Sequence, residues 1–316
     1  MDRNLALEFV RVTEAAAIAC ARWMGKGDKN KADEAAVNEM RSRFNAVDFN
    51  GEVVIGEGEK DEAPLLYIGE KIGTKKGNKV DIAVDPLECT SNLANGKPNA
   101  ISVLAAAPKG CLLKAPGTYM DQISVGAKAK GVIDINVSVK TNLKNIAKAL
   151  DKNIEDVTVI ILDRPRHEQI IKEIRETGAR IRLIEHGTIS AGVAAALPDT
   201  GIDVMIGVGG APEAVITAAA IKCLGGDMQG VLKPHNEKTM QQAKEMGIKP
   251  NKVFKLDELV KGNQSMFVAT GVSDGPLLKG VVFEDHTILT HSIVMRAKTG
   301  TIRFIEAKHH ATNKDR

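Results

Sequence analysis

The sequence predicts an α/β protein whose amino-terminal portion is α+β, and three observations carry that. Two helix-like stretches come before any strand. Short apolar runs then end on loops rich in glycine and acids. From residue 157 onward the order strand, polar loop, helix repeats, which builds a mostly parallel sheet. At 316 residues, 43% hydrophobic and 26% charged, the chain can bury one large core or two ordinary ones. The boundary is placed after Leu150, giving a catalytic domain of residues 1–150 and a second domain of residues 151–316.

Leu5 to Trp23 reads as an alanine-rich amphipathic helix, with Leu5, Val12, Ala16 and Ala19 on one side. Gly25-Lys26-Gly27-Asp28 breaks it, and Asp28 suits the N-cap of a second helix running to about Phe44. Lys29 and Asp33 share a face there, so an i,i+4 ion pair is the simplest expectation for both. Gly51 to Ile55 is a short strand. It runs into Gly56-Glu57-Gly58-Glu59-Lys60-Asp61-Glu62, where the glycines allow a sharp turn and close approach of a ligand. Glu57, Glu59, Asp61 and Glu62 would repel one another unless a cation or solvent relieved them. A solvated charge run is the plainer reading, but such runs rarely need flanking glycines straight after an apolar strand.

Val80 to Asn92 holds the most informative stretch. Val80, Ile82 and Val84 alternate with Asp81 and Ala83 as in a half-buried strand, which should stop at Asp85-Pro86 for want of a proline N–H. Asp85, Glu88 and Thr90 follow within six residues, ahead of a helix start at Thr90-Ser91-Asn92. Oxygen ligands in that place suit a hard divalent cation facing a phosphate. Taken alone, the motif fits a solvated acidic turn equally well. Ile101 to Ala107 and Gly110 to Leu113 read as a hairpin, Pro116 to Met120 as a loop carrying Tyr119, and Asn142 to Leu150 as a short helix. Tyr119 either packs or offers its hydroxyl to a substrate.

In the second half, Val157 to Leu162 and Ile181 to Ile184 are apolar runs of the kind buried on both faces. The first leads into Asp163-Arg164-Pro165-Arg166-His167 and a helix to Thr177, the second into His186-Gly187-Thr188 and a helix to Leu197. Asp203 to Val208 leads into Gly209-Gly210-Ala211-Pro212-Glu213 and a helix to Leu224; Met266 to Thr270 is a fourth strand of the series. Strands near Val281 and from Ile288 to Ile293 close this domain, and Ala307 to Arg316 reads as a frayed tail. Ligands of such sheets sit beyond the carboxyl ends of the strands. Arg164 and Arg166 are either a solvated pair or a fork for phosphate oxygens. Glu213 either stabilises a helix N-terminus or binds metal, with Gly209 and Gly210 freeing N–H groups for an anion.

Composition narrows the function. Forty-three basic against 40 acidic residues give +3, and aromatics are 3%, so there is neither the basic footprint nor the stacking surface for nucleic acid. Cys20, Cys89, Cys111 and Cys223 form no C-x-x-C pair and read as free thiols in a reducing compartment. The first ten residues lack a signal-peptide core, and no run reaches the ~18 apolar residues of a membrane span. The expectation is a soluble cytoplasmic enzyme without membrane or nucleic-acid partners.

Asp85-Pro86-Leu87-Glu88-Cys89-Thr90 resembles the Asp-Pro-[apolar]-[Asp/Glu]-Gly-Thr signature of the lithium-sensitive, metal-dependent phosphatase superfamily. With Gly27 to Asp33, Gly56-Glu57-Gly58-Glu59 and Gly209 to Glu213, the resemblance narrows to class II fructose-1,6-bisphosphatase and runs over nearly the whole chain in order. It implies the layered α-β-α-β-α sugar-phosphatase fold and gluconeogenic removal of the 1-phosphate of fructose 1,6-bisphosphate. It also implies two or more Mn²⁺ or Mg²⁺ ions and a homo-oligomer. The implied metal ligands are Asp33, Glu57, Asp85, Glu88 and Glu213, with Thr90 beside the attacking water and Asp61 and Lys29 in support. Implied substrate contacts are Glu88, Cys89, Thr90, Tyr119, Arg164, Pro165, Arg166, His186, Gly187, Thr188 and Gly210. Two positions depart from the family: Cys89 replaces glycine, and His186-Gly187-Thr188 replaces Asp-Gly-Asp. Because cysteine at φ > 0 costs roughly 1 kcal/mol or more, a negative φ or another tolerated conformation is expected at Cys89. Three alternatives are a broader bisphosphatase that also takes sedoheptulose 1,7-bisphosphate, an inositol monophosphatase-like enzyme, and a non-catalytic sugar-phosphate-binding regulator. The arginine pair argues against the second and Thr90 against the third.

Overall fold

The computed structural model describes residues 3–58, 65–249 and 251–310. The chain divides into two units, Met1–Leu112 with Gln264–Arg316, and Leu113–Asn263. The boundary expected after Leu150 therefore falls inside the second unit, and the last segment returns to the first. Pairing across a long stretch of sequence causes this, and no local pattern announces it.

The first unit opens with α1 (Leu5–Ala21) and α2 (Lys29–Phe44). Asp28 caps α2 by accepting the Lys31 N–H at 3.0 Å, as its place before the helical pattern predicts. The strands β1 (Asn50–Ile55), β2 (Lys71–Ile72), β3 (Lys79–Glu88) and β4 (Ile101–Pro108) follow, with the short α3 (Thr90–Ala94) between the last two. Phe9, Phe44 and Phe49 meet edge-on or tilted, with ring centroids 5.3–6.2 Å apart, and anchor the helices to β1. Val80, Ile82 and Val84 of β3 bury their side chains in the same core.

Two local expectations fail here. β3 does not stop at Asp85-Pro86. Asp85 pairs with Val103 and Glu88 with Ile101, so Pro86 and Leu87 together stand opposite Ser102 as a bulge. The missing proline N–H then falls where no ladder bond is needed. Nor do Gly110 to Leu113 return as a strand of a hairpin. Both edges of β4 are already taken, and the N–H groups of Gly110 and Leu112 donate instead to the Asp81 carboxylate at 2.7 and 3.3 Å.

In the second unit the elements are β5 (Tyr119–Val125), α4 (Val139–Leu150), β6 (Thr158–Leu162), α5 (Glu168–Glu176), β7 (Arg180–Ile184) and α6 (Thr188–Ala196). After them come β8 (Val204–Gly210), α7 (Ala211–Cys223), β9 (Asp227–Lys233), α8 (Glu237–Glu245), β10 (Val253–Lys255) and α9 (Leu256–Leu259). The sheet order is β10-β9-β5-β8-β6-β7. Only β7, β6 and β8 are mutually parallel; β5, β9 and β10 join antiparallel, so the sheet is mixed. Tyr119 begins β5 instead of lying in a loop. β7 is an edge strand, which leaves Leu183 exposed despite its apolar run. Ile123, Val125, Val159, Ile161 and Ile206 pack with α4 and α5 residues, and Ile160 and Met205 with the alanines of α6.

The chain ends with β11 (Met266–Gly271), β12 (Val282–Phe283), β13 (Thr287–Arg296) and β14 (Thr301–His310). β11 is not a fourth parallel strand. It lies antiparallel between β4 and β13, giving the first unit a sheet ordered β12-β13-β11-β4-β3-β1-β2 with β14 on β13. Ala307 to His310, expected to begin a frayed tail, are the end of β14, paired along the length of β13. The rest of that expected tail, 311–316, lies outside the described residues. No described helix is long and apolar enough to cross a membrane.

Candidate active site

The first unit carries the acidic half of the expected site. Gly25 and Gly27 take positive φ, and their N–H groups donate to the carbonyls of Leu93 and Ala94 at 2.9 and 2.8 Å. These bonds seat the start of α2 beside α3, which brings the Asp33 turn toward the Thr90 corner. Gly56 has no space for a side chain, because a Cβ would strike Leu66 O, and Gly58 adopts φ 146°. That backbone holds Glu57 with its N–H on Leu66 O at 3.1 Å. Burial raises the Asp33 carboxyl above its usual range. Burial first, and the Asp33 charge second, push Glu57 up to about 7. Two carboxylates that disfavour their own ionisation are a place for a cation. Among the described residues Lys29 does not pair with Asp33; the cation near that helix start is Lys31, 3.5 Å from Asp28. Asp61 lies outside the described residues, as do Glu59 and Glu62.

Asp85 and Glu88 flank the bulge, Glu88 buried and Asp85 half-buried. Cys89 then turns the chain at φ 69°, ψ 39°, in the left-handed region. The negative φ expected for a cysteine is therefore not adopted. The bulge and the start of α3 demand the glycine-type corner, and Asn92 N and Leu93 N close on the Cys89 carbonyl at 2.8 and 3.1 Å. The thiol is buried and forms no disulfide. Beyond the corner, Thr90 donates its hydroxyl proton to Leu87 O at 2.9 Å. Both lone pairs of Oγ1 then remain as acceptors. Among the described residues no three acidic, histidine or cysteine side chains converge to hold a metal ion.

The second unit carries the basic half. Arg164, at the end of β6, reaches the ring nitrogens of His186 at 3.0 and 3.2 Å. Arg166 donates to Val208 O at 3.1 Å and lies over the Tyr119 ring, 5.2 Å from its centroid. Tyr119 also touches the His235 ring and stays 41% exposed, so it both packs and presents its hydroxyl. Pro165, between the two arginines, opens a one-turn helix, Pro165–His167, that includes Arg166. Behind them His167 is buried. Val208 N–H donates to its Nε2 at 2.8 Å, which leaves the proton on Nδ1 for Leu162 O at 2.9 Å. Burial holds this imidazole below its usual pKa, neutral, and it ties the arginine loop to β8.

Gly187, at φ 101°, precedes Thr188 at the start of α6. Gly210 precedes α7, and a Cβ there would collide with the Glu213 carboxylate that folds back on it. Glu213 Oε2 is buried with no hydrogen-bond partner, and burial raises its carboxyl above the usual range. An orphaned carboxylate oxygen against a glycine that leaves it room fits a cation, and an all-oxygen donor set fits a hard divalent one. Sequence reasoning assigns no role to His167, His235 or Gln122. Their neighbours come from distant strands, and only the His directly after Arg164-Pro165-Arg166 offers a local hint.

The family model for bacterial, glpX-encoded fructose-1,6-bisphosphatase matches residues 3–309. The chain is 46% identical over 323 residues to the class 2 fructose-1,6-bisphosphatase of Haemophilus influenzae, covering 98% of this chain and 97% of that one. It is 45% identical over 328 residues to fructose-1,6-bisphosphatase 1 class 2 of Escherichia coli K12, covering 100% and 98%. Among solved structures, the extragenic suppressor protein suhB of Bartonella henselae is similar at a TM-score of 0.35 and 17% identity, over 61% of this chain and 75% of that one. A likeness at that level carries no weight for fold or chemistry.

Proposed function

The chain belongs to the bacterial, glpX-encoded fructose-1,6-bisphosphatase family and hydrolyses fructose 1,6-bisphosphate, and on that premise we propose which residues carry the reaction. The 1-phosphate is removed, leaving fructose 6-phosphate, in the cytoplasm and by a homo-oligomer. Asp33, Glu57, Asp85 and Glu88 of the first unit would hold Mn²⁺ or Mg²⁺, two or more ions in all, and Glu213 would serve as a metal ligand in the second unit. Such ions supply Lewis-acid chemistry when bound: water activation, and neutralisation of the charge developing on phosphate and leaving oxygen.

Thr90 is the water-positioning residue. Its proton is committed to Leu87 O, so Oγ1 accepts a proton of the attacking water and fixes that water's orientation. A carboxylate, Asp33 or Asp61, takes the other proton as the P–O bond forms. The bond to the sugar oxygen breaks in line, that proton is passed on through solvent to the leaving oxygen to give the sugar hydroxyl, and no phosphoenzyme forms. Lys29 supports this group from the first turn of α2. Arg164 and Arg166 bind the distal phosphate, with Tyr119, His186, Gly187, Thr188 and Gly210 completing the substrate contacts. Contacts remote from the reacting phosphorus then orient it. His186 takes its place against Arg164 instead of offering the carboxylate usual in the family, which removes a negative charge beside a phosphate-binding arginine.

The observation that carries this reading is the Asp85–Thr90 corner, where a bulge, a left-handed Cys89 and a committed hydroxyl present two carboxylates and one acceptor on fixed backbone. Phosphate release from fructose 1,6-bisphosphate tests it. Mn²⁺-loaded protein is expected to turn over and EDTA-stripped protein to be inactive. Equal rates in the two forms would remove the metal scheme.

A further inference from the structure

We propose that Gln122 is a positioning residue for the substrate corner of the second unit, its side-chain amide taking hydrogen bonds only when ligand is bound. The proposal rests on the substrate reading of Thr188 and Gly210 above. Gln122 lies on β5, in the middle of the six-stranded sheet, and is 1% exposed. Neither its Nε2 nor its Oε1 has a hydrogen-bond partner. A buried donor and acceptor left unmade are expensive, and such groups in a native protein usually have a use.

Its surroundings point to that use. A Cβ on Gly209 would stand 2.5 Å from Gln122 Nε2, 2.8 Å from Thr188 Cγ2 and 3.2 Å from Thr188 Cβ. Gly209 is thus wedged between the Gln122 amide and Thr188, with Gly210 next in sequence. The amide lies beside the two backbone corners, before α6 and before α7, to which the substrate reading assigns contacts. Ser124, two residues on and on the same face of β5, supplies a contrast. Its Oγ is also buried and unpartnered, but its neighbours are Gly192 within α6 and Thr217 within α7, away from either corner. Ser124 is an orphan in packing; Gln122 is an orphan at a site.

The physical consequence is a trade-off. An amide unpaired in the free protein destabilises it, and pairing on ligand binding returns that free energy as affinity. Gln122→Met keeps the volume and removes both polar atoms. The free protein is expected to melt at an unchanged or higher temperature, the thermal shift induced by fructose 6-phosphate with inorganic phosphate to shrink, and KM for fructose 1,6-bisphosphate to rise about tenfold with kcat within about threefold. Ser124→Ala is expected to leave or raise the melting temperature without moving KM. A lower melting temperature for Gln122→Met would show the amide already paired in the free protein, through ordered water, and would overturn the proposal. So would an unchanged KM. Should Gln122→Met fail to fold, crystals of the wild-type protein decide: a water bonded to the Gln122 amide without ligand contradicts the proposal, and new amide bonds only with fructose 6-phosphate and phosphate support it. Wild-type phosphate release from fructose 1,6-bisphosphate is measured beside these, and its absence would fault the substrate reading instead.

Discussion

The candidate groups of the two units differ in how their charges are held. In the second unit every charged group named for substrate has a place: Arg164 against His186, Arg166 on Val208 O and over Tyr119, with neutral His167 pinning their loop to β8. In the first unit the backbone is set, and two of the carboxyls, Asp33 and Glu57, are held above their usual range. Burial pushes both Asp33 and Glu57 toward the protonated form, and the Asp33 charge adds to the effect at Glu57. On the proposed reading, the arginine pair is a seat for the distal phosphate that the folded chain already holds in place, and the carboxylates of the first unit are the groups that would take a counter-charge.

The comparison can be broken most sharply from the recognition side. Arg166→Ala removes a guanidinium proposed to bind the distal phosphate, so KM for fructose 1,6-bisphosphate is expected to rise roughly 10- to 100-fold with kcat nearly retained. Steady-state kinetics with saturating Mn²⁺ checks this; a fall in kcat of the same size with unchanged KM would place Arg166 in the chemistry. A smaller effect is expected at the acidic corner's backbone. Cys89→Gly relieves a left-handed non-glycine residue and is expected to stabilise the protein by about 1 kcal/mol, read as a higher urea midpoint, with activity kept. A lower midpoint would mean that packing of the buried thiol outweighs the strain.

The gentlest test uses pH. The folded protein holds the Glu57 proton more tightly than the unfolded chain, whose ordinary value is 4.5 against about 7. Metal-free protein should therefore lose stability as pH rises through that interval, because the unfolded state binds fewer protons there. Mn²⁺ needs the carboxylate, so its affinity should climb over the same interval. Calorimetric titrations across this range would show it; a flat profile would mean that Glu57 ionises freely.

What sequence can reveal follows the same division. The Asp85–Thr90 corner, the Asp28 cap and the loops around Glu57 and Glu213 are legible because each rests on neighbours a few residues apart. Even there the sequence misleads about the conformation of Cys89, since the bulge that demands a positive φ is set by β4 across the sheet. The domain boundary, the place of β11 and the strands β5, β9 and β10 are not legible, because their partners lie far away in the chain. Gln122, His167 and His235 share that fate. A lone polar residue in an apolar strand acquires meaning only from what packs on it.

Thr90 tests the proposed reading most directly, since its hydroxyl proton is committed to Leu87 O and its oxygen is left as an acceptor. Thr90→Ala removes the acceptor without touching a carboxylate. With Mn²⁺ affinity measured alongside, kcat is expected to fall on the order of 10²- to 10³-fold while metal binding and the melting temperature stay within error. A kcat near the wild-type value at unchanged metal affinity would contradict the account.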